Sequence, residues 1–210
     1  MKYQLIALSF LLALVSCGKD GGGNNSESVI NLVSTDLSGN YKALLRPLNT
    51  QANGFLPYGA AEVKANDTDI QVKTFLDDDT KVAHIQDIRE GTRCPTLADD
   101  ANGDGFIDVN EAAAVVGPVM IALDGDLDSH EGGQTNYPRG GAFTYSRQAK
   151  LDNVIKEAQA LRSGVFQFEG KVVLVHGTSD LSKVPETVGT MNNLPRNLTL
   201  PIACGILKRK

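Results

Sequence analysis

The sequence predicts a mainly β domain, an antiparallel sandwich or barrel with one short packed helix and long loops. Three observations predict it. Short extended runs recur from residue 40 onward between clusters of Gly, Pro, Asn and Asp; polarity alternates with period two; and a single stretch carries a strong helical stripe. The first group of runs is 41–46, 59–64, 69–75 and 81–86, and the second is 118–123, 142–147, 171–176 and 199–207. Ile70, Val72 and Thr74 alternate with Asp69, Gln71 and Lys73, the pattern of a half-buried strand. The helix falls at 151–162, where Leu151, Val154, Ile155, Ala158 and Leu161 share one face and Ser163-Gly164 stops it. Its apolar stripe is expected to pack on the sheet. No internal repeat is present.

The chain begins differently. Lys2 precedes an apolar run at 5–14, small Ser16 follows, and Cys17 opens a polar, glycine-rich stretch. This resembles a bacterial lipoprotein signal, and the run is shorter than the roughly 20 residues a spanning helix needs. The resemblance implies cleavage before Cys17 and its lipidation, which attaches the protein to a membrane of the bacterial cell envelope. Gly18 rather than Asp after the cysteine favours the outer membrane. The chain then divides into a signal peptide at 1–17, a flexible tether at 18–30 and a β domain at 31–210. The tether has almost no apolar content and spans about 20 Å as a random coil.

Composition sets further bounds. The 210 residues carry 20 Lys and Arg against 25 Asp and Glu, a net charge of −5, so no nucleic-acid partner is expected. The tail Lys208-Arg209-Lys210 is too short to change that. Gly21-Gly22-Gly23 sits in the tether and not between a strand and a helix, so it is no phosphate loop, and nothing resembles a nucleophile elbow. With Cys17 assigned to lipid, Cys94 and Cys204 remain. In an exported protein a disulfide is their expected state, the alternative being two buried thiols. Closing so long a loop contributes about 4–5 kcal/mol on the chain-entropy argument.

The most specific motif is the twelve-residue stretch 100–111, which fits an EF-hand calcium loop at every diagnostic position. Asp100, Asn102 and Asp104 offer side-chain oxygens, Phe106 its carbonyl, Asp108 a direct or water-bridged contact, and Glu111 a bidentate carboxylate. Gly105 permits the sharp turn and Ile107 anchors the loop to the core. Upstream, Gly91 to Pro95 leaves little room for an entering helix, whereas 109–116 suits a short exiting one. A lone loop does not open as sensor hands do, so a structural Ca2+ is expected.

Three further stretches carry a family likeness: Val82-Ala83-His84-Ile85-Gln86-Asp87 with Cys94 soon after, Gly170 through His176, and Ile202-Ala203-Cys204-Gly205-Ile206. Over about a quarter of the chain they resemble the copper/zinc superoxide dismutases. The resemblance implies a Greek-key sandwich or barrel and supports a Cys94–Cys204 bridge. It also makes His84 and His176 candidate ligands of copper or zinc, with His130 completing a three-imidazole set if its loop folds back. The family's active site is incomplete here. The chain has three histidines where the family uses six, Gln86 stands at the second histidine of the His-x-His strand, and Pro201 takes the place of the substrate-guiding arginine. An amide is a poor substitute where copper must cycle between oxidation states.

The expected function is that of a lipid-anchored, calcium-binding cell-envelope protein whose degenerate dismutase-like domain binds or supports an envelope partner without catalysis. The alternative is a copper- or zinc-binding metalloprotein with residual redox or superoxide dismutase activity.

Overall fold

The computed structural model describes residues 37–52, 56–128, 136–160 and 165–210. The leader, Cys17, the tether, His130 and the last residues of the expected helix lie outside these. Strands β1 (Gly39–Pro47), β2 (Tyr58–Ala65) and β3 (Asp69–Asp77) follow one another as antiparallel hairpins, and β6 (Phe143–Lys150) returns beside β3. In the other wing β4 (Gln86–Arg89) lies between β5 (Val119–Ala122) and β7 (Val172–His176), with β8 (Pro201–Ile206) beyond β7. The result is one curled antiparallel sheet in the order β5-β4-β7-β8-β1-β2-β3-β6. Sequence-distant strands thus become neighbours through long returns of the Greek-key kind, as the sequence predicts.

The two wings join at a seam. β1 meets β8 at Arg46↔Cys204 and Pro47↔Ala203, and β9 (Lys208–Arg209) meets β1 at Tyr41 and Lys42, leaving the ladder interrupted at 43–45. The disulfide expected between Cys94 and Cys204 is present at this seam, with Cα atoms 5.9 Å apart across 110 residues.

Alternation explains the main core. Tyr41, Ala43 and Leu45 from β1, Val63 from β2, and Ile70, Val72 and Leu76 from β3 turn inward to meet Phe168, Ile202 and Leu207. α2 (Leu151–Ala160) adds Leu151, Val154 and Ala158, the stripe predicted for it. β7 has no polar face because it is covered on both sides. Val173 and Val175 join the main core, while Val172 and Leu174 pack outward on Ile107, Ala112 and Val116, which lie in the 100–111 loop and the helix α1 (Val109–Val116) that leaves it.

One strand begins later than expected. The 81–86 run is not extended throughout: its ladder starts only at Gln86, and Ala83 makes an isolated bridge to Arg139. The reason is a buried polar corner. Asp78, Thr80 and His84 are all enclosed, and the His84 amide donates to Pro138 O instead of to a sheet partner. Sequence alternation also gave no sign of the short helix α3 (Arg196–Thr199), whose place the 199–207 run partly claimed.

The compact unit Val33–Lys210 contains every strand pair and apolar cluster described above. It therefore holds a complete core and folds on its own. Among the described residues no helix is long and apolar enough to cross a membrane.

Candidate metal sites

The 100–111 loop folds on its own backbone. Asp100 Oδ1 accepts from Gly103 N at 2.7 Å and its Oδ2 from Gly105 N at 2.8 Å, while Asn102 Oδ1 and Asp104 Oδ1 each accept from the amide two residues on, at 2.9 Å. The left-handed φ of +85° at Gly105 makes this tight path possible. Asp108 caps α1 by accepting from Asn110 N and Glu111 N, and the Glu111 carboxylate returns to accept from Ala101 N at 2.8 Å and Asp108 N at 3.0 Å. Both Asp100 oxygens, Asn102 Oδ1, Asp104 Oδ1 and Glu111 Oε2 accept one such bond each and retain a lone pair, whereas Asp108 Oδ1 and Glu111 Oε1 each accept two.

Residues that no loop motif could name hold this arrangement in place. The Asn49 side chain, on a residue with φ +48°, donates to Ile107 O and accepts from Ile107 N, both at 2.8 Å, and it also donates to Pro201 O. A carboxamide offers the same donor and acceptor as a peptide group, so Asn49 acts as a one-residue strand partner for the loop. From the other side Thr187 Oγ1 donates to Asp104 Oδ2 at 2.6 Å and Gly189 N to Asp108 Oδ2 at 2.7 Å. Gln51 Nε2 donates to Gly105 O. Phe106 packs with Ala52, Val184, Val188 and Leu200, which unites all three segments.

The histidines are brought together but aimed apart. Both are fully enclosed. His84 Nδ1 lies 3.0 Å from His176 O and must donate to it, because a carbonyl only accepts. Its Nε2 turns to the far corner, 3.1 Å from Thr80 Oγ1, 3.3 Å from Gly140 O and 3.6 Å from Asp78 Oδ2, with the ring stacked on Phe143. Thr80 Oγ1 is also 2.5 Å from Asp78 Oδ2 and has one proton to give. The hydroxyl can therefore donate to only one of the two neighbours at a time. Burial holds His84 below its ordinary pKa, against the opposing pull of the His176 carbonyl, Asp78 and the Gly140 carbonyl.

His176 donates from Nδ1 to Thr199 O at 2.7 Å, leaving Nε2 with a bare lone pair and no hydrogen-bond partner. The nearest carboxylate, Asp87 Oδ2 at 4.0 Å, is held by the Arg89 guanidinium through bonds of 2.8 and 2.9 Å. Burial lowers the His176 pKa, and Asp87 opposes it. Gln86 donates to Leu123 O and leaves Oε1 without a partner. Among the described residues no three His, Cys, Asp or Glu side chains stand together in a metal-holding group. The family resemblance singled out both histidines but not Asp78, Thr80 or Arg89, the groups that direct or flank their rings. No family model matches this chain, and no curated protein matches it.

Proposed function

We propose that the chain is a lipid-anchored, calcium-binding protein of the bacterial cell envelope, with a degenerate dismutase-like domain that binds or supports an envelope component without catalysis. The observation that carries this reading is the 100–111 loop, whose side chains make its turn-forming bonds while both Asp100 oxygens, Asn102 Oδ1, Asp104 Oδ1 and Glu111 Oε2 each keep a lone pair free. The donor set fits: Asp100, Asn102, Asp104, Asp108 and Glu111, with the Phe106 carbonyl, are the hard oxygens that Ca2+ takes. A bound ion would supply electrostatic cross-linking, and the segments at Asn49 and at 187–189 would be tightened with the loop. The likeness to dismutases is supported by the Greek-key returns and by the bridge from the segment after β4 to β8. The residues do not fit a copper redox centre, because His84 Nε2 serves the Asp78 corner and Gln86 offers only an amide.

Full-length protein in detergent, titrated with calcium after chelation, is expected to bind one ion and to melt higher. At about 100 times Kd the gain is about 2.7 kcal/mol. Asp100→Ala or Glu111→Ala should remove that gain; an equal response of wild type and both variants would sink the calcium reading. Lipid attachment is tested separately by the mass of the mature protein, which should carry acyl chains that Cys17→Ala lacks.

A second reading is favoured by the bare Nε2 of His176. If zinc or copper is held at one equivalent and lost in His176→Gln, the domain is a transition-metal protein and His130 becomes the ligand to examine.

A further inference from the structure

The outer face of the β1-β2-β3 wing carries a pattern that neither metal reading uses. Leu44, Tyr58 and Phe75 are 61, 55 and 42% exposed there, among the few large apolar side chains so exposed. Leu44 stands opposite Ala60, and Ala60 opposite Phe75, so an apolar row crosses three strands. At the open seam it runs into a cleft of about 320 Å³ lined by Leu44, Ile206 and the disulfide, with Lys42, Arg46 and Lys208 around them.

Cations flank this row. Lys208, Lys42 and Lys73 lie in the adjacent row, with Lys64 one row beyond and Arg46 on the other side. None of these five forms an ion pair among the described residues. The carboxylates of this face are already occupied: Glu62 is bridged by Lys210 at 2.7 Å, and Asp77 is hydrogen-bonded with Tyr58. A chain with net charge −5 thus gathers cations in excess of carboxylates beside its exposed apolar side chains, although Lys42 and Lys64 also act on Glu62.

We propose that this face docks on a bilayer surface rich in anionic phospholipid headgroups. Phosphates meet the Lys and Arg side chains, whose stems lie along the apolar row, while Leu44, Tyr58 and Phe75 enter the boundary between headgroups and acyl chains. A second copy is the poorer occupant, because packing this face on itself sets the same cations against one another. The proposal is a property of the folded unit and does not depend on lipidation.

The test is sedimentation of the Val33–Lys210 unit with vesicles of phosphatidylcholine alone and of phosphatidylcholine mixed with phosphatidylglycerol. Binding is expected to the mixed vesicles, to weaken with salt, and to fall about fivefold for each of Lys42→Gln and Lys73→Gln. Lys156→Gln, the same charge change on α2, should leave it unaltered. Leu44→Ser should weaken binding without lowering the melting temperature; should that variant fold poorly, the lysine variants still decide. The proposal is overturned by absence of binding to anionic vesicles, by equal binding in Lys42→Gln and Lys156→Gln, or by a dimer that Leu44→Ser dissociates while vesicles go unbound.

Discussion

The 100–111 loop and the histidine pair both present residue types able to bind metal, and they fold in opposite ways. In the loop Asp100, Asp104 and Glu111 stay partly exposed, Asp108 is buried, and all four accept from neighbouring amides. At His84 and His176 the rings are sealed inside, and three of the four ring nitrogens lie within hydrogen-bond reach of oxygens belonging to this chain. The loop thus keeps partly exposed oxygens with acceptor capacity left, whereas a ligand at the histidine region would have to break internal contacts first. Residue type and spacing announce a site; burial and orientation decide whether it is open.

That contrast can be pressed from both ends. The largest effect is expected at the buried pair beside His176. Asp87→Ala leaves Arg89 buried and uncompensated and should cost about 3–5 kcal/mol in denaturant unfolding. A cost under 1 kcal/mol would show that this region is looser than its burial implies. Next comes Asn49→Ala, which orphans the Ile107 N–H and C=O and should cost about 2–4 kcal/mol. It should also weaken calcium binding, which Asp87→Ala should not.

A pH titration of stability comes third. The His176 pKa is lower in the folded protein than the value of about 6.5 in the unfolded chain, so below that pH the unfolded state takes up a proton that the native ring refuses. This contribution to stability is complete above about pH 6.5 and is lost as pH falls toward the folded pKa. His176→Gln should flatten the slope of melting temperature against pH in that window, and an unchanged slope would mean that other groups set it. The smallest effect is expected from Thr187→Val, which removes one exposed bond to Asp104. It should cost about 0.5–1 kcal/mol in apo protein.

Much of the fold was legible in the sequence. Short extended runs bounded by turn residues located β1, β2, β3, β6 and β7 to within a few residues, and the apolar stripe at Leu151, Val154 and Ala158 located α2. The corner before β4 was hidden, because Val82 to Gln86 reads as an extended run and nothing local reveals that Asp78 and Thr80 turn inward to His84. At the 100–111 loop the tight turn at Gly105 was legible and the supports of the loop were not. Asn49 is remote in the chain and looks like an ordinary loop residue until Ile107 is brought to it.

The sequence by itself determined the features that act over a few residues: alternation that buries one face of a strand, the turn at Gly105, the Asp108 cap on α1, and the residues able to supply oxygen to an ion. Tertiary structure alone decided the direction of the two imidazoles, the clamping of the loop by Asn49 and Thr187, and the union of Leu44, Ala60 and Phe75 with the flanking lysines on one face. The physical reason is range. Backbone geometry and capping follow from neighbours in the chain, whereas orientation and burial follow from contacts such as His84 with His176, 92 residues apart, that exist only once the Greek-key returns have closed.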